Sequence, residues 1–181
     1  IVAMVSLFWP TQLPDASSGV FLEENNLVGA DIAWLLASSG LVLLMTPGLS
    51  FFYGGMVGKK NVISTMLQSF IALGVISLVW VVVGFSLSFG DSLGFYIGKE
   101  HYGIIGNPFS FTFFNQVGVL PHSKMASTVP FILFALFQMK FAVITPAIIT
   151  GSFAERVRFV SYLLFIVLFS LFIYAPYLRL S

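Results

Sequence analysis

No cysteine occurs anywhere in the 181 residues. That excludes disulfides, thiolate nucleophiles and Cys-based metal centres for this chain. Charge is nearly as scarce. Asp, Glu, Lys and Arg make up 8% of the residues, where soluble domains carry about 25%. The formal net charge of +1 leaves no large basic surface, so nucleic acid is not an expected partner. Histidine is represented twice, by His101 and His122. The Glu100–His101 pair lacks the further ligands a metal site needs, so no metal and no cofactor is expected. No nucleophile–base pair appears either, so the chain does not read as an enzyme. What fills it is apolar: 58% hydrophobic residues, with 21 Phe, and a mean hydropathy of +1.00. That composition belongs to an integral membrane protein.

The apolar runs divide the chain. Residues 1–30 read as an extracytoplasmic N-terminal segment. Ile1 to Trp9 is apolar and Pro10 to Gly19 is polar and turn-rich, which fits either a signal-peptide remnant, with a site near Ala16-Ser17-Ser18-Gly19, or a plain extension. Residues 31–178 read as one transmembrane domain with spans at about 31–53, 62–89, 126–153 and 159–178. Each is long enough to cross a core of about 30 Å at about 1.5 Å per residue. The expected fold class is therefore an all-α polytopic membrane protein. Pro47-Gly48 interrupts the first span, and the backbone groups freed there must be satisfied by protein or water, which places that end inside a bundle. Gly54 and Gly58 form a small-xxx-small pair suited to close helix approach or to a turn. Gln68, Ser69, Ser77 and Trp80 read as contacts between helices. Residues 90–124 read as a wet loop, with Phe109–Phe114 at the membrane interface, and Pro176 is expected to close the fourth span. Lys59 and Lys60 sit in one short connection and Arg156 and Arg158 in another. Both connections are expected on the cytoplasmic side, which leaves the N-terminus outside.

The third span is the unusual one. Phe134, Gln138, Phe141 and Thr145 recur at spacings of four, three and four, so they share one helical face. An aromatic and polar face is expected to look inward, at other helices or at a pathway. By spacing alone, Phe141 fits both a packed core ring and a ring that contacts a passing cation. At the end of the span, Glu155-Arg156 reads as structural, with the arginine placed to bond the last helix carbonyls. A substrate-binding role for Glu155 is disfavoured because it lies about 21 Å along a helix from Phe141.

Several segments resemble one known family. Pro47-Gly-Leu-Ser-Phe-Phe-Tyr-Gly-Gly-Met-Val-Gly-Lys-Lys-Asn61 is similar to the end of the first helix of ammonium transporters, the Amt/Mep/Rh superfamily, and Trp80-Val-Val-Val-Gly-Phe-Ser-Leu-Ser-Phe-Gly90 to the end of their second. Phe137-Gln138, Phe141-Ala142, Ile144-Thr145-Pro-Ala, Gly151 and Ala154-Glu155-Arg156 resemble the third helix and its turn. Tyr174-Ala-Pro176 resembles the end of the fourth. The resemblance is closer to the Amt branch. It implies a trimer of eleven-helix subunits, each with two inverted five-helix repeats and its own pore, and this chain resembles four helices of the first repeat. It further implies ammonium or ammonia as substrate, a lipid bilayer in the cell membrane as setting, and a cytoplasmic regulatory protein as a further partner. Carried over by residue, Phe141 matches the first gating, cation-contacting phenylalanine. Phe52 and Tyr53 match aromatics of the pore wall, and Gln138 and Thr145 belong to the structural part of the motif. The outer-site tryptophan and both pore histidines have no counterpart in these residues, and His101 and His122 do not replace them.

Lys140 departs from the family pattern. It lies about 100° around the helix from Phe141. A fixed charge about 6 Å from a passing cation repels it by roughly 3 kcal/mol at an effective dielectric of about 20. Three readings stay open: loss of the charge on burial, snorkelling or pairing away from the path, or a copy that does not conduct. The leading expectation is ammonium transport, with this chain giving part of the pore wall and one gating ring. The alternatives are a non-conducting sensor or regulator with the same outer fold, and a truncated product without activity of its own.

Overall fold

The computed structural model describes residues 21–97, 100–153 and 156–180. The signal-peptide reading falls on residues outside these, as does Glu155.

Among the described residues, four helices are long and apolar enough to cross a membrane. Helix α1 runs Gly29–Met56. Helix α2 is α-helical over Val62–Val79, takes one π-helical turn at Trp80–Gly84 and returns to α over Phe85–Phe89. Helix α3 runs Phe131–Phe153. Helix α4 is α-helical over Phe159–Phe169, π-helical over Ser170–Tyr174, and α-helical again over Ala175–Leu180. Between α2 and α3 an antiparallel hairpin pairs β1, Ser92–Ile97, with β2, Glu100–Gly106. Apolar patterning did not indicate the hairpin, because it sits in a stretch read as loop. His101 and Glu100 are β2 residues, paired with Tyr96 and Ile97.

Pro146 lies inside α3, and three other prolines bear on how the spans run. Pro47 does not break α1, which continues to Met56. The cost of a helix proline is local, one lost hydrogen bond and a clash with the preceding turn, and a helix that still has an unbroken ladder on both sides persists where water cannot compete. Pro130 sets the start of α3. The helix begins at Phe131 and not near 126, because the residue before a proline is pushed out of the α region. The preceding residues pair elsewhere: His122 and Ala126 exchange two 2.9 Å backbone bonds, and the Val28 amide donates to the Thr128 carbonyl at 2.9 Å. Pro176 was expected to close the fourth span, yet the helix continues through it to Leu180. The π-helical turn immediately upstream shifts the hydrogen-bond register and makes room for the ring.

The helices alternate direction, so the α1 start and residues 90–97 and 100–130 lie at one end of the bundle, and residues 57–61 and 156–158 at the other. α3 is the central helix. Of its most apolar stretch 44% is buried, against 6% for α1. Phe131, Ala135, Ala142, Ala147 and Thr150 on α3 are fully buried. Polar ties hold neighbours to it or to each other. Trp80 Nε1 donates to the Ala135 carbonyl at 3.2 Å. The Thr150 hydroxyl meets the Tyr162 hydroxyl at 2.9 Å, and Tyr162 also reaches the Gln68 carbonyl at 3.4 Å. The Ser50 hydroxyl donates to the Met66 carbonyl at 3.0 Å. Gly54 lets α1 approach α2 there: a Cβ on it would stand 2.8 Å from Met66 Cγ.

At the hairpin end, Phe85 forms a ring cluster with Trp80, Phe111 and Phe131, centroids 5.9, 5.7 and 5.6 Å away. The aromatic segment at 109–114 is thus divided, with Phe111 buried in the cluster and Phe109 and Phe113 exposed. His122 is also drawn in. It is 1% exposed and stacks on Phe131 at 5.0 Å, so it belongs to the core of this end and not to a wet loop. Buried Arg179 donates from Nη1 to the Gly90 carbonyl at 2.6 Å, tying the end of α4 to the end of α2.

Candidate functional site

Because α3 buries Ala135, Met139, Ala142, Val143, Ala147 and Thr150 against its neighbours, its opposite face stays open. The face carrying Phe134, Gln138, Phe141 and Thr145 continues at the same spacing to Ile148 and Ser152. Phe134 and Gln138 are half-buried, Phe141 is 37% exposed and Ile148 54%. Phe134 is turned into the aromatic cluster, 5.3 Å from Phe89. Phe141 is not; it packs edge-on to Phe137 at 5.1 Å and 78°, which holds its orientation while part of the ring surface remains free. The Thr145 hydroxyl donates to the Phe141 carbonyl at 2.8 Å, so this threonine is satisfied by its own helix and offers the open face mainly its methyl group.

Two turns further along α3, the open face meets Phe52 and Tyr53 of α1. A cavity of about 430 Å³ lies there, lined by Phe52, Tyr53, Met56, Val57, Ile148, Gly151 and Ser152. Phe52 is 60% exposed, and its ring is 5.5 Å from that of Tyr53. The Tyr53 hydroxyl donates to the Ile148 carbonyl at 2.6 Å. Gly151 makes this contact feasible, since a Cβ there would lie 2.5 Å from Tyr53 Cε1. The distance from Phe141 to Ile148 along the helix is about 10 Å at about 1.5 Å per residue. Phe141 and the Phe52–Tyr53 pair therefore lie along one stripe of the bundle. Ile148 and the pairing of Gly151 with Tyr53 carried no signal in the sequence beyond the helical period.

Lys140 points elsewhere. It is half-buried and lines a cleft of about 20 Å³ with Leu43, Thr46, Leu73, Ser77 and Val143. These residues come from α1, α2 and α3, so the lysine sits between the helices on a different side of α3 from Phe141. Arg156 is exposed in the turn after α3. No group of three or more metal-ligating side chains occurs among the described residues.

The fold and this stripe define a class: a polytopic helical membrane protein whose central helix presents an uncharged, ring-bearing face. The sequence profile of the Ammonium Transporter Family matches residues 33–181, and the chain belongs to that family. It is 41% identical over 157 residues to an ammonium transporter of Mycobacterium bovis, covering 82% of this chain and 32% of that protein. It is 44% identical over 146 residues to one of Bacillus subtilis, covering 81% and 33%. Among solved structures it superposes on Saccharomyces cerevisiae Mep2 with a TM-score of 0.71 and 30% identity, over 86% of this chain and 33% of that one. The chain thus spans about a third of the length of the relatives it matches.

Proposed function

We propose that the protein carrying this chain moves ammonium or ammonia across a membrane, with this chain contributing part of the pore wall and Phe141 as a gating ring. The observation that carries the reading is the open stripe from Phe141 to the Phe52–Tyr53 cavity. Membership of the Ammonium Transporter Family supports ammonium or ammonia as the substrate. A cation entering such a path sheds hydration, and an aromatic face offsets part of that loss by roughly 0.5–2 kcal/mol. Among the described residues, those lining it carry no charge, so this part of the wall gives a hydrated ion little to replace its water, while neutral ammonia pays little. Phe137 keeps the Phe141 ring in place, and Tyr53 is held by its bond to the Ile148 carbonyl, so the rings are ordered before substrate arrives.

The same reading includes a homotrimer in the cell membrane, an outward N-terminus, a cytoplasmic regulatory partner, and transport, not enzymatic chemistry, as the activity. The sensor alternative was motivated by Lys140 beside the path. Its placement in a cleft between helices favours conduction. The test is saturable uptake of labelled methylammonium by the complete gene product, in cells lacking their own ammonium transporters. A well-expressed, assembled product without uptake would overturn the proposal.

A further inference from the structure

Three polar side chains line the cleft at Lys140, and among the described residues none of them has a partner. Lys140, Thr46 and Ser77, one residue from each of α3, α1 and α2, line the same space. Thr46 is 2% exposed. Among the described residues, none of these three side chains has a hydrogen bond or an ion pair. The threonines at 145 and 150 of α3 show the usual alternative, bonding back to the carbonyls of Phe141 and Pro146. Thr46 does not. Polar groups in a membrane interior are costly unless satisfied, so the arrangement calls for an occupant.

Charge and size decide which. The ammonium offers only donors, and each hydroxyl has one to give. The remaining lining residues, Leu43, Leu73 and Val143, are apolar, and none of the described residues lining the cleft is a carboxylate. Pro47 leaves the Leu43 carbonyl without its helical donor, which supplies a neutral acceptor at this level but no negative charge. A lone cation in a low-dielectric site is strongly disfavoured, and an anion that accepts hydrogen bonds removes the penalty. The volume of about 20 Å³ compares with the 10–15 Å³ or so that one water requires. That space is nearer the size of a monatomic ion than of phosphate, sulfate or a carboxylic acid.

We propose that Lys140, Thr46 and Ser77 form a binding site for one halide ion, chloride being the abundant member of that class. The bound anion neutralises Lys140 and removes its repulsion of a cation passing Phe141. Part of this consequence rests on the transport reading above; the binding itself does not.

The experiment uses the complete protein purified from membranes and compares thermal unfolding in chloride or bromide with unfolding in gluconate, at equal ionic strength. The expected result is an upward shift of several degrees in halide for the native protein. The shift should be lost in Lys140→Met and reduced in Thr46→Val, with Thr46→Ser retaining it. Crystals grown in bromide should show one anomalous peak within hydrogen-bond reach of Lys140 Nζ. No halide effect on the native protein, or an equal effect in Lys140→Met, would overturn the proposal, the first pointing to a bridging water or a carboxylate from elsewhere in the protein. Methylammonium uptake should fall several-fold in gluconate. Halide-dependent unfolding without any uptake in either salt would leave the site standing and remove the transport reading.

Discussion

The Tyr53 hydroxyl and the Ile148 carbonyl are 2.6 Å apart, which joins the inner part of α1 to the central helix at the edge of the cavity beside them. The ring passes over Gly151, where a Cβ would stand 2.5 Å from Cε1. Gly151→Ala should therefore displace Tyr53 and destabilise the protein by about 1–3 kcal/mol. Tyr53→Phe keeps the ring and should not relieve that clash, whereas Tyr53→Ala should. A double-mutant cycle on thermal unfolding checks this: additive effects of Gly151→Ala and Tyr53→Ala would contradict the contact.

Phe141→Ala should weaken the apparent affinity for methylammonium by about 2–30-fold, the equivalent of one cation–π contact of 0.5–2 kcal/mol. Phe141→Tyr should retain most of it. Since the ring is 37% exposed, stability should fall by less than the ~3–5 kcal/mol of a fully buried Phe→Ala. Uptake kinetics alongside a melting curve separate the two effects. A large loss of stability with unchanged affinity would return Phe141 to the role of packing residue.

Trp80 is fully buried and donates to the Ala135 carbonyl. Trp80→Phe removes that donor and leaves space in the ring cluster. The expected cost is about 1–3 kcal/mol, read as a lower unfolding temperature of the purified protein, with transport affinity unaffected.

Thr150 and Tyr162 tie α3 to α4 by a buried 2.9 Å hydroxyl pair. The cycle of Thr150→Val and Tyr162→Phe should give a coupling of about 0.6 kcal/mol, the scale found for hydrogen bonds between membrane helices. The value is modest because each group has a second acceptor, the Pro146 and Gln68 carbonyls. A coupling near zero would show that those acceptors alone satisfy both hydroxyls.

How much was legible before any coordinates is seen best on α3. Its helical period placed Phe134, Gln138, Phe141 and Thr145 on one face, because side-chain direction in a helix follows from position alone. Phe134 and Phe141 nevertheless differ in fate, one packed against Phe89 and the other left partly open. Position on a face does not say where along its length a neighbouring helix ends. The same limit applied to His122. A polar residue in a proline-rich segment reads as solvated, and only the pairing of that segment with Phe21 and Ala126 buries it under Phe131.

The sequence by itself determined that the chain crosses a membrane through helices, since long uncharged apolar runs must satisfy their backbones internally, and its ordered motifs pointed to the family. The tertiary structure alone decided what the exceptional residues face. Lys140 and Phe141 are adjacent in the chain, and the packing of α1 and α2 against α3 sends one into a cleft with Thr46 and Ser77 and leaves the other on the open stripe. That assignment depends on contacts between residues about a hundred positions apart, which no local pattern encodes.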